Sequence, residues 1–120
     1  MILVDTSIWV DHLRRADPAL SEHLDRGRVL AHPFVIGELA LGSLRNRAEV
    51  LRLLGELPRA TPATHAEAMQ FIDLHRLMGA GIGYVDAHLL ASVALTPPAR
   101  LWTRDARLAV IARQLSLAAP

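Results

Sequence analysis

The sequence predicts an α/β fold, an α/β/α sandwich around a central parallel sheet of four or five short strands, and three observations predict it. Short runs with strand character alternate with segments of helical spacing, which implies parallel strands joined by right-handed crossovers. The first run, Ile2-Leu3-Val4, is continuously apolar, as expected of a central strand buried on both faces. A chain of 120 residues fits one compact domain, residues 1–120, with no linker, repeat or low-complexity segment.

Taken in order, Ile2-Leu3-Val4 ends at Asp5, and Thr6 and Ser7 open a helix through Leu13. Asp17-Pro18 is an N-cap followed by proline at the first helical position, and Leu20 and Leu24 give that helix an apolar stripe before Gly27. Val29-Leu30-Ala31 reads as the second strand. Pro33 starts a helix in which Phe34, Val35, Leu39 and Leu41 repeat near helical spacing around Glu38. A further helix covers Ala48 to Leu54 and stops at Pro58, and Arg59-Ala60-Thr61 is a weak third strand. Thr64 and Glu67 form a capping-box pattern for a helix reaching Met78, with Phe71, Ile72 and Leu74 as core contacts. Gly79, Gly81 and Gly83 mark a tight loop before a helix from Tyr84 to Ala94, with Asp86 in its first turn. After Pro97-Pro98, Arg100-Leu101-Trp102 is the fourth strand, Asp105 opens a last helix through Arg113, and Leu115-Ser116-Leu117 adds an edge strand.

Composition excludes several chemistries. There is no cysteine, hence no disulfide and no thiolate nucleophile. All 13 basic residues are arginine, so no mechanism that needs lysine is open, and arginine suits forked contacts to phosphate. The apolar stretches fall short of the ~20 residues of a membrane span, and Met1-Ile2-Leu3-Val4-Asp5 lacks the basic start of a secretory signal. A cytoplasmic protein without membrane contact is the expectation. Apolar residues make up 52% of the chain, more than a small monomer usually needs, which suggests either cover by another chain or an unusually Ala- and Leu-rich core.

Ligands of parallel α/β sheets bind beyond the carboxyl ends of the strands. Asp5 and Asp105 lie there, Glu38 rides the helix after the second strand, and Asp86 opens the helix after the glycines. Two unit charges ~4 Å apart repel by about 4 kcal/mol at an effective dielectric near 20, so four converging carboxylates imply a cation. Oxygen-only ligands select Mg²⁺ or Mn²⁺, whose chemistry with an activated water is phosphodiester hydrolysis. Thr6 and Thr103 are placed to hold a carboxylate or a water at the edge of such a site. Singly, each acid also has a plain structural reading, as a helix cap, a first-turn carboxylate or a solvated helix position.

The blocks Val4-Asp5-Thr6-Ser7-Ile8-Trp9, Gly37-Glu38-Leu39, Tyr84-Val85-Asp86-Ala87-His88-Leu89-Leu90-Ala91 and Trp102-Thr103-Arg104-Asp105, in this order, resemble the PIN-domain ribonucleases. More narrowly they are similar to the VapC-type toxins of bacterial toxin-antitoxin pairs. The resemblance implies a PIN-like fold and a Mg²⁺- or Mn²⁺-dependent endoribonuclease with Asp5, Glu38, Asp86 and Asp105 as its acidic quartet and Thr103 as the polar residue before the last acid. It also implies an RNA substrate (tRNA, rRNA or mRNA), a homodimer, and a VapB-type antitoxin that inserts a basic or bulky side chain into the acidic pocket. RNA contacts fall to arginine alone, with Arg14, Arg15, Arg45, Arg47 and Arg104 as candidates and Arg104 beside the acids.

Other readings are weaker. Gly79, Gly81 and Gly83 have the wrong spacing for a dinucleotide loop, and no histidine pair has a metal-ligand spacing. An aspartyl phosphotransferase built on Asp5 lacks the lysine that such sites need. A non-catalytic PIN-like protein-binding module stands as the alternative, distinguished by whether divalent cation stabilises the protein.

Overall fold

The computed structural model describes residues 1–120. Three strands, β1 (Ile2–Val4), β2 (Val29–Leu30) and β3 (Arg100–Trp102), form a parallel sheet in the order β2-β1-β3. Helices α1 (Thr6–Arg14), α2 (Pro18–Asp25), α3 (Pro33–Ala40), α4 (Arg47–Glu56), α5 (His65–Leu74), α6 (Tyr84–Ala94) and α7 (Ala106–Gln114) flank it. Central β1 pairs Leu3 with Leu30 on one side and with Leu101 on the other. Leu3 and Val4 are fully buried, which explains why this strand is apolar throughout.

Three strands form ladders where four or five were expected. The two weakest strand assignments reduce to single bridges, Ala31 with Arg59 outside β2 and Leu101 with Ala118 outside β3. Beyond Ala60, whose N–H donates to the Ala31 carbonyl at 3.0 Å, the Thr61 N–H is taken by the Thr96 hydroxyl at 2.8 Å, and Pro62 has no N–H to offer. At the other edge, Leu115-Ser116-Leu117 ends α7 instead of forming a strand. Ser116 adopts a positive φ of 59°, its N–H donates to the Arg113 carbonyl at 3.0 Å, and the Leu117 N–H donates to that of Ala112 at 2.7 Å. This doubly bonded helix ending delays extended pairing until Ala118.

The same ending shortens α5, which stops at Leu74, short of the expected Met78. Arg76 has φ 54°, and the Leu77 N–H donates to the Ile72 carbonyl at 3.0 Å. In consequence Leu74 and Met78 are exposed, and so is Leu41 beyond α3. The helix starts follow the sequence closely. Asp17 accepts from the N–H groups of Ala19 and Leu20 at the head of α2, and Thr64 and Glu67 form a complete capping box on α5.

One cluster of 20 buried apolar residues joins the sheet to Ile8 and Trp9 of α1, Val35 and Leu39 of α3, Leu89, Leu90 and Val93 of α6, and Leu108 and Ile111 of α7. Helix α6 is buried from Ala87 through Val93, so its position, and that of Asp86 at its head, is fixed by packing on every side. Trp9 is in the core, whereas Trp102 is half-buried, edge-on to His23.

Candidate active site

Strand β1 delivers Asp5 to the edge of the sheet. The Asp5 N–H donates to the Trp102 carbonyl at 2.9 Å, the last bond between β1 and β3. The residue is 7% exposed, and its carboxylate caps α1. Oδ1 accepts from the Thr6 N–H at 2.7 Å, while Oδ2 accepts from the hydroxyls of Thr103 at 2.7 Å and Ser7 at 3.2 Å. Three donors fix one rotamer of a buried carboxylate.

The neighbouring strand supplies Asp105, the N-cap of α7, whose Oδ1 accepts from the Leu108 N–H at 2.9 Å. Thr103 ties the two acids together, donating its hydroxyl proton to Asp5 and accepting the Asp105 N–H at 3.1 Å. Glu38 reaches the same edge from α3, where Oε1 accepts from the Thr6 hydroxyl at 2.7 Å. Asp86, in the first turn of α6, accepts the Gly83 N–H at 3.1 Å. Thus Thr6 and Thr103 each hold one of the acids.

The four acids share one electrostatic field. Burial raises the pKa of half-buried Asp86 above the usual carboxylate value, the bond from Gly83 opposes the rise, and the charges of Asp5, Asp105 and Glu38 add to it. Asp5, Asp86 and Asp105 all stand at helix N-termini, whose positive ends offset part of this repulsion. No group of three or more carboxylates or imidazoles stands close enough together to hold a metal ion by itself. Each acid is instead held on its own local donors, an open arrangement of oxygen atoms. That donor set fits a hard cation such as Mg²⁺, which keeps several waters and takes few protein ligands.

The arginines differ in their freedom. Arg104, expected to serve the edge of the site or the substrate, donates its guanidinium to Asp11 and to Asp17, the latter at 2.6 Å. Two carboxylates match the arginine fork better than solvent does. Arg47 donates to the Ala40 carbonyl at 3.0 Å. Arg14 and Arg45 line a groove of about 900 Å³ that has Glu38 in its wall.

Three polar residues have roles the sequence did not reveal. Ser7 bridges the two strand ends, accepting the Arg104 N–H at 3.1 Å while donating to Asp5. His32 is buried and caps α3, its Nδ1 accepting the Phe34 N–H at 3.0 Å. His88 is buried between the rings of Phe34 and Tyr84, with neither ring nitrogen hydrogen-bonded. Only the polar spacing around Asp5 hinted at any of the three.

Comparison with known proteins gives two findings. A family model of the PIN domain matches residues 2–114. The chain is also 54% identical over 108 residues to Ribonuclease VapC32 from two strains of Mycobacterium tuberculosis, a match covering 90% of this chain and 87% of each relative.

Proposed function

The chain belongs to the PIN-domain family, and on that premise we propose that it is a Mg²⁺- or Mn²⁺-dependent endoribonuclease, the toxin of a toxin-antitoxin pair. The observation that carries this reading is that Thr103 joins Asp5 to Asp105 and Thr6 joins Asp5 to Glu38 at one edge of the sheet, while the charges of these three acids add to burial in raising the pKa of Asp86. Mutual repulsion of this kind costs stability unless a cation relieves it.

Asp5, Glu38, Asp86 and Asp105 would hold the cation. Bound there, it supplies an activated water and stabilises charge on the leaving oxygen. The protein contributes orientation: Thr103, Ser7 and the Thr6 N–H fix Asp5, the Thr6 hydroxyl fixes Glu38, and the Gly83 N–H fixes Asp86. The groove beside Glu38 would carry the RNA strand, with Arg14 and Arg45 on its phosphates. A net charge of +1 keeps non-specific RNA binding weak.

The partners follow from the same reading. A homodimer would cover apolar side chains such as Leu74 and Met78, which are 74% and 62% exposed, and a VapB-type antitoxin would close the acidic pocket. No helix is long and apolar enough to cross a membrane, and we place the pair in the cytoplasm.

The test is cleavage of tRNA and of a structured RNA pool by purified protein, with Mg²⁺ or Mn²⁺, with EDTA, and with Asp86→Asn. Cleavage lost in EDTA and in the variant is the expected result. Cleavage that survives both would exclude the acidic site as its source.

A further inference from the structure

Arg104 lies between two residues that touch the acidic edge, yet its charge is directed elsewhere. Nη2 donates to Asp17 Oδ2 at 2.6 Å and Nη1 donates to Asp11, so the guanidinium is forked between α1 and the turn before α2. Asp17 is itself anchored, because its Oδ1 caps α2 through Ala19 at 2.9 Å and Leu20 at 3.1 Å. The Arg104 N–H donates to Ser7 Oγ at 3.1 Å, and Ser7 Oγ donates to Asp5 Oδ2 at 3.2 Å. On the other side, Thr103 Oγ1 donates to that same Asp5 oxygen at 2.7 Å and accepts the Asp105 N–H at 3.1 Å.

Asp5 and Asp105 come from strands that are adjacent in space and distant in sequence, and nothing covalent sets the gap between their carboxylates. The loop from Thr103 to Asp105 sets it. Thr103 and Ser7 tie that loop to one atom of Asp5, at 2.7 and 3.2 Å, while the Arg104 fork holds its outer side against α1 and the head of α2. Exposed ion pairs contribute little to stability singly, so the worth of this fork lies in direction. A planar guanidinium with two carboxylate partners has one orientation, and its backbone follows.

We infer that Arg104, with Ser7, Asp11 and Asp17, forms a latch that sets the spacing of Asp5 and Asp105, and that Arg104 is a positioning residue for the cation instead of a contact to RNA. This rests on the nuclease reading above. It predicts an effect on cation affinity before any effect on RNA binding, the reverse of what a phosphate-contacting arginine shows.

The experiment is Mn²⁺ titration of the purified protein, followed by the electron paramagnetic resonance of free Mn²⁺, together with kcat and KM on a cleavable RNA. Arg104→Ala and Ser7→Ala should weaken Mn²⁺ binding about ten- to a hundredfold, the usual effect of removing a group that orients a metal ligand, and lower kcat with KM little changed. Ser7→Thr, which keeps the hydroxyl, should restore both. Asp11→Asn discriminates most sharply, because it removes the charge from one arm of the fork, leaves Asp17 on the other, and makes the net charge more positive. A latch predicts weaker Mn²⁺ binding in that variant, whereas an RNA contact predicts a lower KM with Mn²⁺ binding unchanged. Wild-type protein whose Mn²⁺ binding is abolished by Asp86→Asn but untouched by Arg104→Ala and Asp11→Asn would overturn the latch alone. Wild-type protein that takes up no Mn²⁺ would overturn the latch and the nuclease reading together.

Discussion

Acidification from pH 7 to pH 4 should remove about 3 kcal/mol of stability through His32 alone. This side chain is 1% exposed, and burial, with a smaller contribution from nearby His88, pushes its pKa from 6.5 down to about 4. The geometry agrees. Nδ1 accepts the Phe34 N–H at 3.0 Å and so carries no proton, which leaves Nε2–H to donate to the Ser92 hydroxyl at 3.0 Å. Protonating Nδ1 would set two N–H groups against each other and uncap α3, the helix that carries Glu38. Because the folded value lies below the unfolded one, the contribution is complete above pH 6.5 and is lost as pH falls toward 4, at about 1.4 kcal/mol per pH unit. His88, also lowered by burial, acts in the same direction. Asp86 has the opposite sign: its raised value favours the fold below pH 3.8 and ceases to do so as pH climbs through the folded value. The comparison that isolates His32 is urea unfolding by tryptophan fluorescence at several pH values, for the wild type and for His32→Asn. Asparagine keeps the helix cap and cannot titrate. Wild type should be the more stable at pH 7, and the gap should narrow by about 3 kcal/mol by pH 4. A gap that does not change with pH would refute the reasoning.

Three further outcomes follow from the same contacts. Without divalent cation, Asp86→Asn should raise stability by about 1 kcal/mol in chemical denaturation, since it removes a repelled carboxylate and keeps an acceptor for the Gly83 N–H; a destabilised variant would contradict the shared field. Thr6→Val should lower kcat roughly tenfold in steady-state RNA cleavage by releasing Glu38, while unfolding shows a loss of only about 1 kcal/mol. Gly81→Ala should cost about 1–2 kcal/mol in thermal unfolding, because Gly81 has φ 83° and its new Cβ would fall 2.4 Å from Arg107 Nη1; an unchanged melting temperature would show that the loop before α6 can be rebuilt.

Much of this arrangement was legible in the sequence because it is local. Asp17-Pro18, Thr64 with Glu67, and the apolar spacing from Tyr84 to Ala94 each specify an element within a few residues, and Val4-Asp5 marks a strand end directly. The misread segments depend on backbone choices that composition does not display. Arg76 and Ser116 close their helices with a positive φ that glycine usually supplies, so a shorter α5 and the lost edge strand went unseen. Long-range pairing hid the rest. Ser7 acquires its place from the backbone N–H of Arg104, 97 residues away, and the partners of Arg104 come from α1 and the turn before α2. That the charge of Arg104 is matched within the fold was therefore not legible from its place beside Asp105.

The central claim, that these four acids form one cation site, is tested most directly by thermal unfolding of the wild type and of Asp86→Asn with and without Mn²⁺. A cation at a hundred times its Kd stabilises by about 2.7 kcal/mol, which for a chain of 120 residues corresponds to a rise of roughly 10 °C. The account predicts that rise in the wild type and little or none in the variant; equal melting temperatures for the wild type with and without Mn²⁺ would contradict it.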